Sequence, residues 1–222
     1  MLPNKILLVS TMRSGTHLLN EILRRNLNLD NPAKGNLDLE LIDIDKLNFM
    51  FGGSSPDVYS THWESFSKLS IGQVNRLNSI IENRGIHVIY LHRLNFVDQL
   101  ISRIILMHSP DVKINKKVYI KKAEVDASYR LLKGIHNCNN PDNIPLTIHT
   151  KITYEDILNN NVYIDNNHMN TDLNLYNLNT KKNSHPKSII LNYDNVLKWI
   201  NTFSEKYDDN WIPYWVWCQD GS

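Results

Sequence analysis

Residues Lys5 to Leu19, KILLVSTMRSGTHLL, decide how the rest of the chain is read. The apolar run Ile6, Leu7, Leu8, Val9, bounded by Ser10, has the length and continuity of a buried parallel strand, and Leu18, Leu19, Ile22 and Leu23 then recur at helical spacing. Between strand and helix lies Thr11-Met12-Arg13-Ser14-Gly15-Thr16-His17, a tight turn of small and polar residues. A strand that turns this way into a helix aims several backbone N–H groups and the positive end of the helix dipole at one spot, which suits a phosphate. Gly15 permits close backbone approach, Ser14 and Thr16 offer hydroxyl donors, and Arg13 adds a fixed positive charge. The turn reads as an anion cradle.

It is not the nucleotide-triphosphate loop, GxxxxGK followed by Ser or Thr, which needs a Lys directly before the hydroxyl residue and a first Gly five residues upstream of the second. Ser10 stands where that first Gly belongs, and no Lys follows Gly15. At 222 residues the chain suits one domain, residues 1–222, with enough length for a sizeable core. Hydrophobic residues make up 41% and charged residues 21%, ordinary globular values, and the net charge is +1. Nothing global therefore argues for nucleic acid or an anionic membrane as partner, and any basic chemistry must be local. Cys138 and Cys218 lie far apart without paired spacing, which indicates neither a zinc site nor a disulfide framework. The chain begins MLPNK and enters its first strand at once, and no apolar run approaches about 18 residues, so a soluble protein of a reducing, cytoplasmic compartment is expected.

Residues 27–56 are rich in Asn, Asp, Gly and Pro and read as an irregular excursion, a place for substrate contacts. Asp57 to His62, DVYSTH, is a short strand candidate that delivers His62, followed by Trp63. Val74, Leu77, Ile80 and Ile81 predict a helix through about Asn83, stopped by Arg84-Gly85, and Ile86 to Leu91 is the second clear buried strand. This βαβ rhythm predicts an α/β fold, a three-layer sandwich with a central parallel sheet. His92 and Arg93 come straight after the strand. In the next helix Phe96, Val97, Leu100, Ile101, Ile104 and Ile105 form one apolar face, while Asn95, Gln99 and Ser102 fall within about 60° of each other on another. Arg93 and Ser102 are thus expected to converge at the carboxyl edge of the sheet, where ligands bind in open α/β folds.

A further helix is predicted over Val118 to Ile135, with Ile120, Ala123, Ala127 and Leu131 inward. Leu146 to Thr153 read as a strand, and Tyr154-Glu155-Asp156 open a short helix through Leu158. The Asn- and Asp-dominated stretch from Asn159 to His185 carries no assignment. A last helix buries Val196, Leu197, Ile200 and Phe203, with Asn192 as N-cap. Three of the five tryptophans, Trp211, Trp215 and Trp217, lie in the tail and are expected to pack back onto the domain, a dimer or acceptor contact being the alternative.

Several of these pieces, in this order, resemble the sulfotransferases that use 3′-phosphoadenosine 5′-phosphosulfate (PAPS). Their 5′-phosphosulfate loop is commonly Pro, Lys or Arg, Ser or Thr, Gly, then two Ser or Thr. Here RSGTHLL follows that pattern, with Met12 in place of Pro and His17 in place of the last hydroxyl residue. STHW resembles the family's strand-end histidine segment, HVIYLHRLNFVDQLIS its 3′-phosphate segment, ITYEDIL its YEDL segment, and TKKNSHPKSIILNYDNVLKWI its C-terminal basic segment. The resemblance leaves out residues 27–56, 160–178 and the tail.

The resemblance implies a P-loop-like sulfotransferase fold, closer to bacterial carbohydrate-type members, with PAPS as co-substrate, no metal, and a small-molecule or carbohydrate acceptor. Arg13, Ser14, Gly15, Thr16, His17 and Leu18 would hold the 5′-phosphate, Arg93 and Ser102 the 3′-phosphate with Lys181 or Lys182 joining them, and Tyr154 would lie near the adenine. Arg13 would be catalytic in stabilising the departing phosphate, and His62 would take the acceptor proton, with Glu64 as the reserve base. Two other readings stay open: a P-loop-type small-molecule kinase using ATP and magnesium, and a non-catalytic nucleotide-binding protein on the same fold. Acceptor identity and oligomeric state are not written in these motifs.

Overall fold

A computed structural model describes residues 3–29, 44, 48, 52–53, 57–62, 69–108, 116–138, 146–169, 171 and 186–207. In chain order its elements are β1 (Lys5–Ser10), α1 (Thr16–Asn26), β2 (Asp57–His62), α2 (Ile71–Asn83), β3 (His87–His92), α3 (Phe96–Met107), α4 (Lys122–Cys138), β4 (Thr150–Thr153), α5 (Tyr154–Leu158), β5 (Val162–Ile164), β6 (Asn167–Met169), α6 (Pro186–Ile189) and α7 (Tyr193–Lys206). They fall into two compact units. One contains the six strands with α1, α2 and α5; the other contains α3, α4, α6 and α7.

In the first unit four parallel strands form a sheet in the order β2-β1-β3-β4. β1 is central because it is apolar on both faces: Ile6, Leu7, Leu8 and Val9 are all buried, each worth about 1.5–3 kcal/mol relative to exposure. On one face Leu7, Val9, Tyr59, Val88 and Tyr90 pack with Val74, Leu77, Ile80 and Ile81 of α2. On the other face α1 covers β2, where Asn20 Nδ2 donates to Ser60 Oγ at 3.2 Å. Helix, sheet and helix therefore make three layers, as the βαβ rhythm predicts. The chain leaves β1 for β2 on one side and returns to β3 on the other, which puts a topological switch point at the carboxyl ends of β1 and β3. In open sheets of this kind the switch point is the edge where ligands commonly bind, whatever the chemistry.

The ends of α2 are written locally. Ser70 and Gln73 form a reciprocal capping box, and Gly85, at φ 60, takes the left-handed position after the last turn. The stretch left unassigned in the sequence contains a hairpin. β5 pairs antiparallel with β6 across Asp165-Asn166, both at positive φ (48 and 62), as a tight two-residue hairpin turn requires.

The second unit is a helical cluster around Leu100, Ile101, Ile104, Val125, Tyr129, Leu132, Ile135, Val196, Ile200 and Phe203. Two sequence expectations change here. The helix predicted from Val118 begins at Lys122, and Ala123 and Ala127 are exposed while Val125, Ser128, Tyr129 and Leu132 are buried. The larger side chains win the inner face because they remove more apolar area from water. Val118 instead makes a parallel bridge with Ile190. Asn192 stands at the N-cap of α7, as expected, but its side chain makes no cap bond. Its Oδ1 accepts from Ile120 N at 3.0 Å and its Nδ2 donates to Ile120 O at 2.8 Å, so it clamps a backbone segment 72 residues earlier. Among the described residues, no helix is long and apolar enough to cross a membrane.

Candidate functional site at the carboxyl edge of the sheet

The turn after β1 is held from both ends. Thr11 N donates to Leu91 O of β3 at 3.2 Å, and the N–H and hydroxyl of Ser14 both donate to Thr11 O, at 3.3 and 2.6 Å. Arg13 lies at φ 63 and Gly15 at φ 93. Left-handed residues alternating with ordinary ones curl successive N–H groups toward one point. For Arg13 that conformation costs about 1–2 kcal/mol, the kind of strain that gathers at ligand sites. Gly15 is also the N-cap of α1 and makes no side-chain cap, and the first helical bond runs from Leu19 N to Gly15 O. The N–H groups of Thr16, His17 and Leu18 therefore precede the helical ladder, where an anion is favoured.

Three expected residues meet on this turn. The ring of Tyr154, first residue of α5, lies so close to Gly15 that a Cβ added there would stand 2.5 Å from Cδ2 of the ring. The guanidinium carbon of Arg93 sits 4.5 Å from the centroid of the same ring, a cation–π contact. Tyr154 is placed by the capping box of Thr153 and Asp156 that starts α5. Glu155 accepts from Leu94 N at 3.1 Å and so fastens the turn after β3. Burial, and next the charge of Arg93, push the Arg13 pKa below the ordinary arginine value, while Tyr154 draws it back up. Arg13 and Arg93 thus lie near enough for the charge of one to act on the other.

His62 ends β2 and pairs in register with Ser10. Its Nδ1 lies 3.4 Å from Ser10 Oγ, which in turn lies 2.6 Å from Thr16 Oγ1. The candidate base is thereby connected to the cradle through two hydroxyls. His92, at the end of β3, stacks on Tyr90 with ring centroids 5.4 Å apart. Burial lowers its pKa first, Glu155 and Asp156 oppose that, and Lys151 adds to it.

Compared with known protein families, characterised proteins and solved structures, the chain matches none.

The expected residues thus divide. Arg13, Ser14, Gly15, Thr16, Arg93, Tyr154 and His62 stand along one edge of one sheet, His17 is exposed, and Leu18 is half-buried in the first turn of α1. Ser14 spends its hydroxyl proton within the turn, which gives it a shaping role. Ser102 lies half-buried on α3 in the second unit. Gln99, expected beside it on a polar face, is fully buried, with Oε1 2.7 Å from Nε2 of His136. An amide can enter a helical core when a partner satisfies it, which a helical wheel does not anticipate. Trp63, Glu64, Lys181, Lys182 and the tail tryptophans lie outside the described residues. Among the described residues no group of three His, Cys, Asp or Glu side chains is arranged to hold a metal. Ser10 is the residue at this edge whose place beside His62 the sequence reading passed over. The signal for Ser10 was a hydroxyl closing an otherwise apolar strand.

Proposed function

We propose that the chain is a sulfotransferase, moving a sulfonate group from PAPS to a hydroxyl of a sugar or small metabolite. The observation that carries this reading is the meeting of Arg13, Arg93 and the Tyr154 ring at a cradle of backbone N–H groups. Two fixed cations rising from different strand ends suit a nucleotide that carries phosphates at both its 5′ and 3′ positions. The acceptor oxygen attacks sulfur, the bond from sulfur to the 5′-phosphate oxygen breaks, and the acceptor proton passes to His62. The products are a sulfate ester and adenosine 3′,5′-bisphosphate. Arg13, whose guanidinium stays charged despite its lowered pKa, stabilises the negative charge left on the phosphate and donates no proton. The rest of the work is alignment.

Calorimetric titration of the purified protein tests this. Adenosine 3′,5′-bisphosphate is expected to bind at least about tenfold more tightly than AMP, in the presence or absence of magnesium. Equal affinity for the two nucleotides would sink the reading. Binding of ATP that requires magnesium would turn it toward the kinase.

A further inference from the structure

A buried polar seam runs beneath α1. Ser10, Thr16, Asn20 and Ser60 are each at most 6% exposed. Leu19, Ile22 and Leu23 of the same helix show that apolar side chains also fit between helix and sheet. Burying hydroxyls and an amide costs free energy unless they are hydrogen-bonded, and the Oδ1 of Asn20 has no hydrogen-bond partner among the described residues. Such a seam is retained at a cost, and Ser10 links it to the end of β2. The Oγ of Ser10 stands 2.6 Å from Thr16 Oγ1, 3.4 Å from His62 Nδ1 and 3.5 Å from the Thr61 carbonyl.

We propose that Ser10 is a positioning residue that makes the tautomer of His62 depend on whether an anion occupies the cradle. A hydroxyl has one proton to give, and can accept as well. When Thr16 gives its proton to a bound phosphate oxygen, its Oγ1 can only accept from Ser10. Ser10 then spends its own proton on Thr16 and turns a lone pair to His62, which must present Nδ1–H. The other ring nitrogen, Nε2, carries the lone pair and acts as base. With the cradle empty the chain can run the other way: Thr16 donates to Ser10, Ser10 donates to Nδ1, and the ring proton sits on Nε2, where it blocks proton acceptance. The base is therefore set by the nucleotide. The net charge is unchanged: each hydroxyl keeps its proton and only rotates, while the ring gives its Nε2 proton to solvent and takes one from solvent at Nδ1.

This inference rests on the sulfotransferase reading, and one experiment separates the two. Protein labelled with ¹⁵N-histidine is studied by long-range ¹H–¹⁵N correlation at a pH where imidazole is neutral. The His62 signals are assigned by their loss in His62→Gln. Saturating adenosine 3′,5′-bisphosphate is expected to move His62 Nδ1 to the protonated type and Nε2 to the unprotonated type. In Ser10→Ala, at bisphosphate concentrations that saturate it, that change is lost. In Ser10→Thr, which keeps the hydroxyl, it returns. A His62 tautomer in the wild-type protein that ignores bound bisphosphate overturns the coupling even if neither variant folds, and so does a full response in Ser10→Ala. Both results leave the nucleotide assignment standing. Failure of the wild-type protein to bind bisphosphate at all overturns the assignment and the coupling together.

Discussion

The two ends of the parallel sheet handle positive charge in opposite ways. At the amino end Arg24, buried on α1, reaches Asp57 at the start of β2 at 3.8 Å, and Asp165 lies 3.7 Å from the ring of the buried His87. At the carboxyl end Arg13 and Arg93 are brought close enough that one lowers the pKa of the other. The amino end sets an acid beside each of these basic groups, while the carboxyl end brings two cations together around a strained turn. Like charge and backbone strain gathered at one edge are features common at ligand sites.

Gly15→Ala should break the contrast most severely. The new Cβ meets the Tyr154 ring at 2.5 Å, and a left-handed backbone adds its own penalty. Stability should fall by about 1–3 kcal/mol in urea unfolding, and bisphosphate affinity by more than about 100-fold, or about 2.7 kcal/mol. Adding Tyr154→Ala should recover part of the stability but not the affinity. Arg93→Gln comes next: calorimetry should show bisphosphate affinity reduced about 10- to 100-fold, the loss expected for a charge-assisted hydrogen bond, with little change in AMP binding.

At the opposite end Arg24→Met should lower stability by about 2–3 kcal/mol, less than the ~3–5 kcal/mol of a fully buried pair because Asp57 keeps some contact with water. Nucleotide affinity should hold. If Arg24→Met weakens bisphosphate binding as much as Arg93→Gln does, the two ends are not distinct. The smallest effect is on pH. Burial lowers the pKa of His87 below its ordinary 6.5, against the opposing pull of Asp165. The unfolded chain therefore binds the proton more readily than the fold does. Stability is intact above about pH 6.5 and is lost as pH falls below it, with His92 acting in the same direction. Thermal melting across that range should show the decline, and His87→Gln should shallow it.

The sheet was legible wherever one short stretch carried its own instructions. The run Ile6 to Val9 carries unbroken apolarity, Val74 to Ile81 carry helical spacing with a stop at Gly85, and YED opens α5 straight after a strand. The candidate site was legible as a set of residue types in order, because strand ends deliver their side chains to one edge whatever lies between. What stayed hidden depended on pairing. That Ser10 lies beside His62 follows from the register of β1 against β2. Gln99 satisfies a histidine 37 residues away, and Asn192, at the N-cap of α7, turns its side chain to Ile120. The hairpin at Asp165-Asn166 was missed for another reason: its two strands of three residues are too short for alternation to stand out against an Asn-rich background.

The contact of Tyr154 with Gly15 also bears on when the cradle comes into being. The two residues are about 140 positions apart, and the ring reaches the turn only after β4 has added to the sheet edge beyond β3. Closure over so long a span comes late in folding, because its entropy must be offset by contacts already made. A chain still emerging from the ribosome has the glycine turn early but lacks its aromatic wall until α5 is out. Anion binding should therefore appear abruptly and near the end, and refolding followed by bisphosphate capture should lag behind the formation of helix.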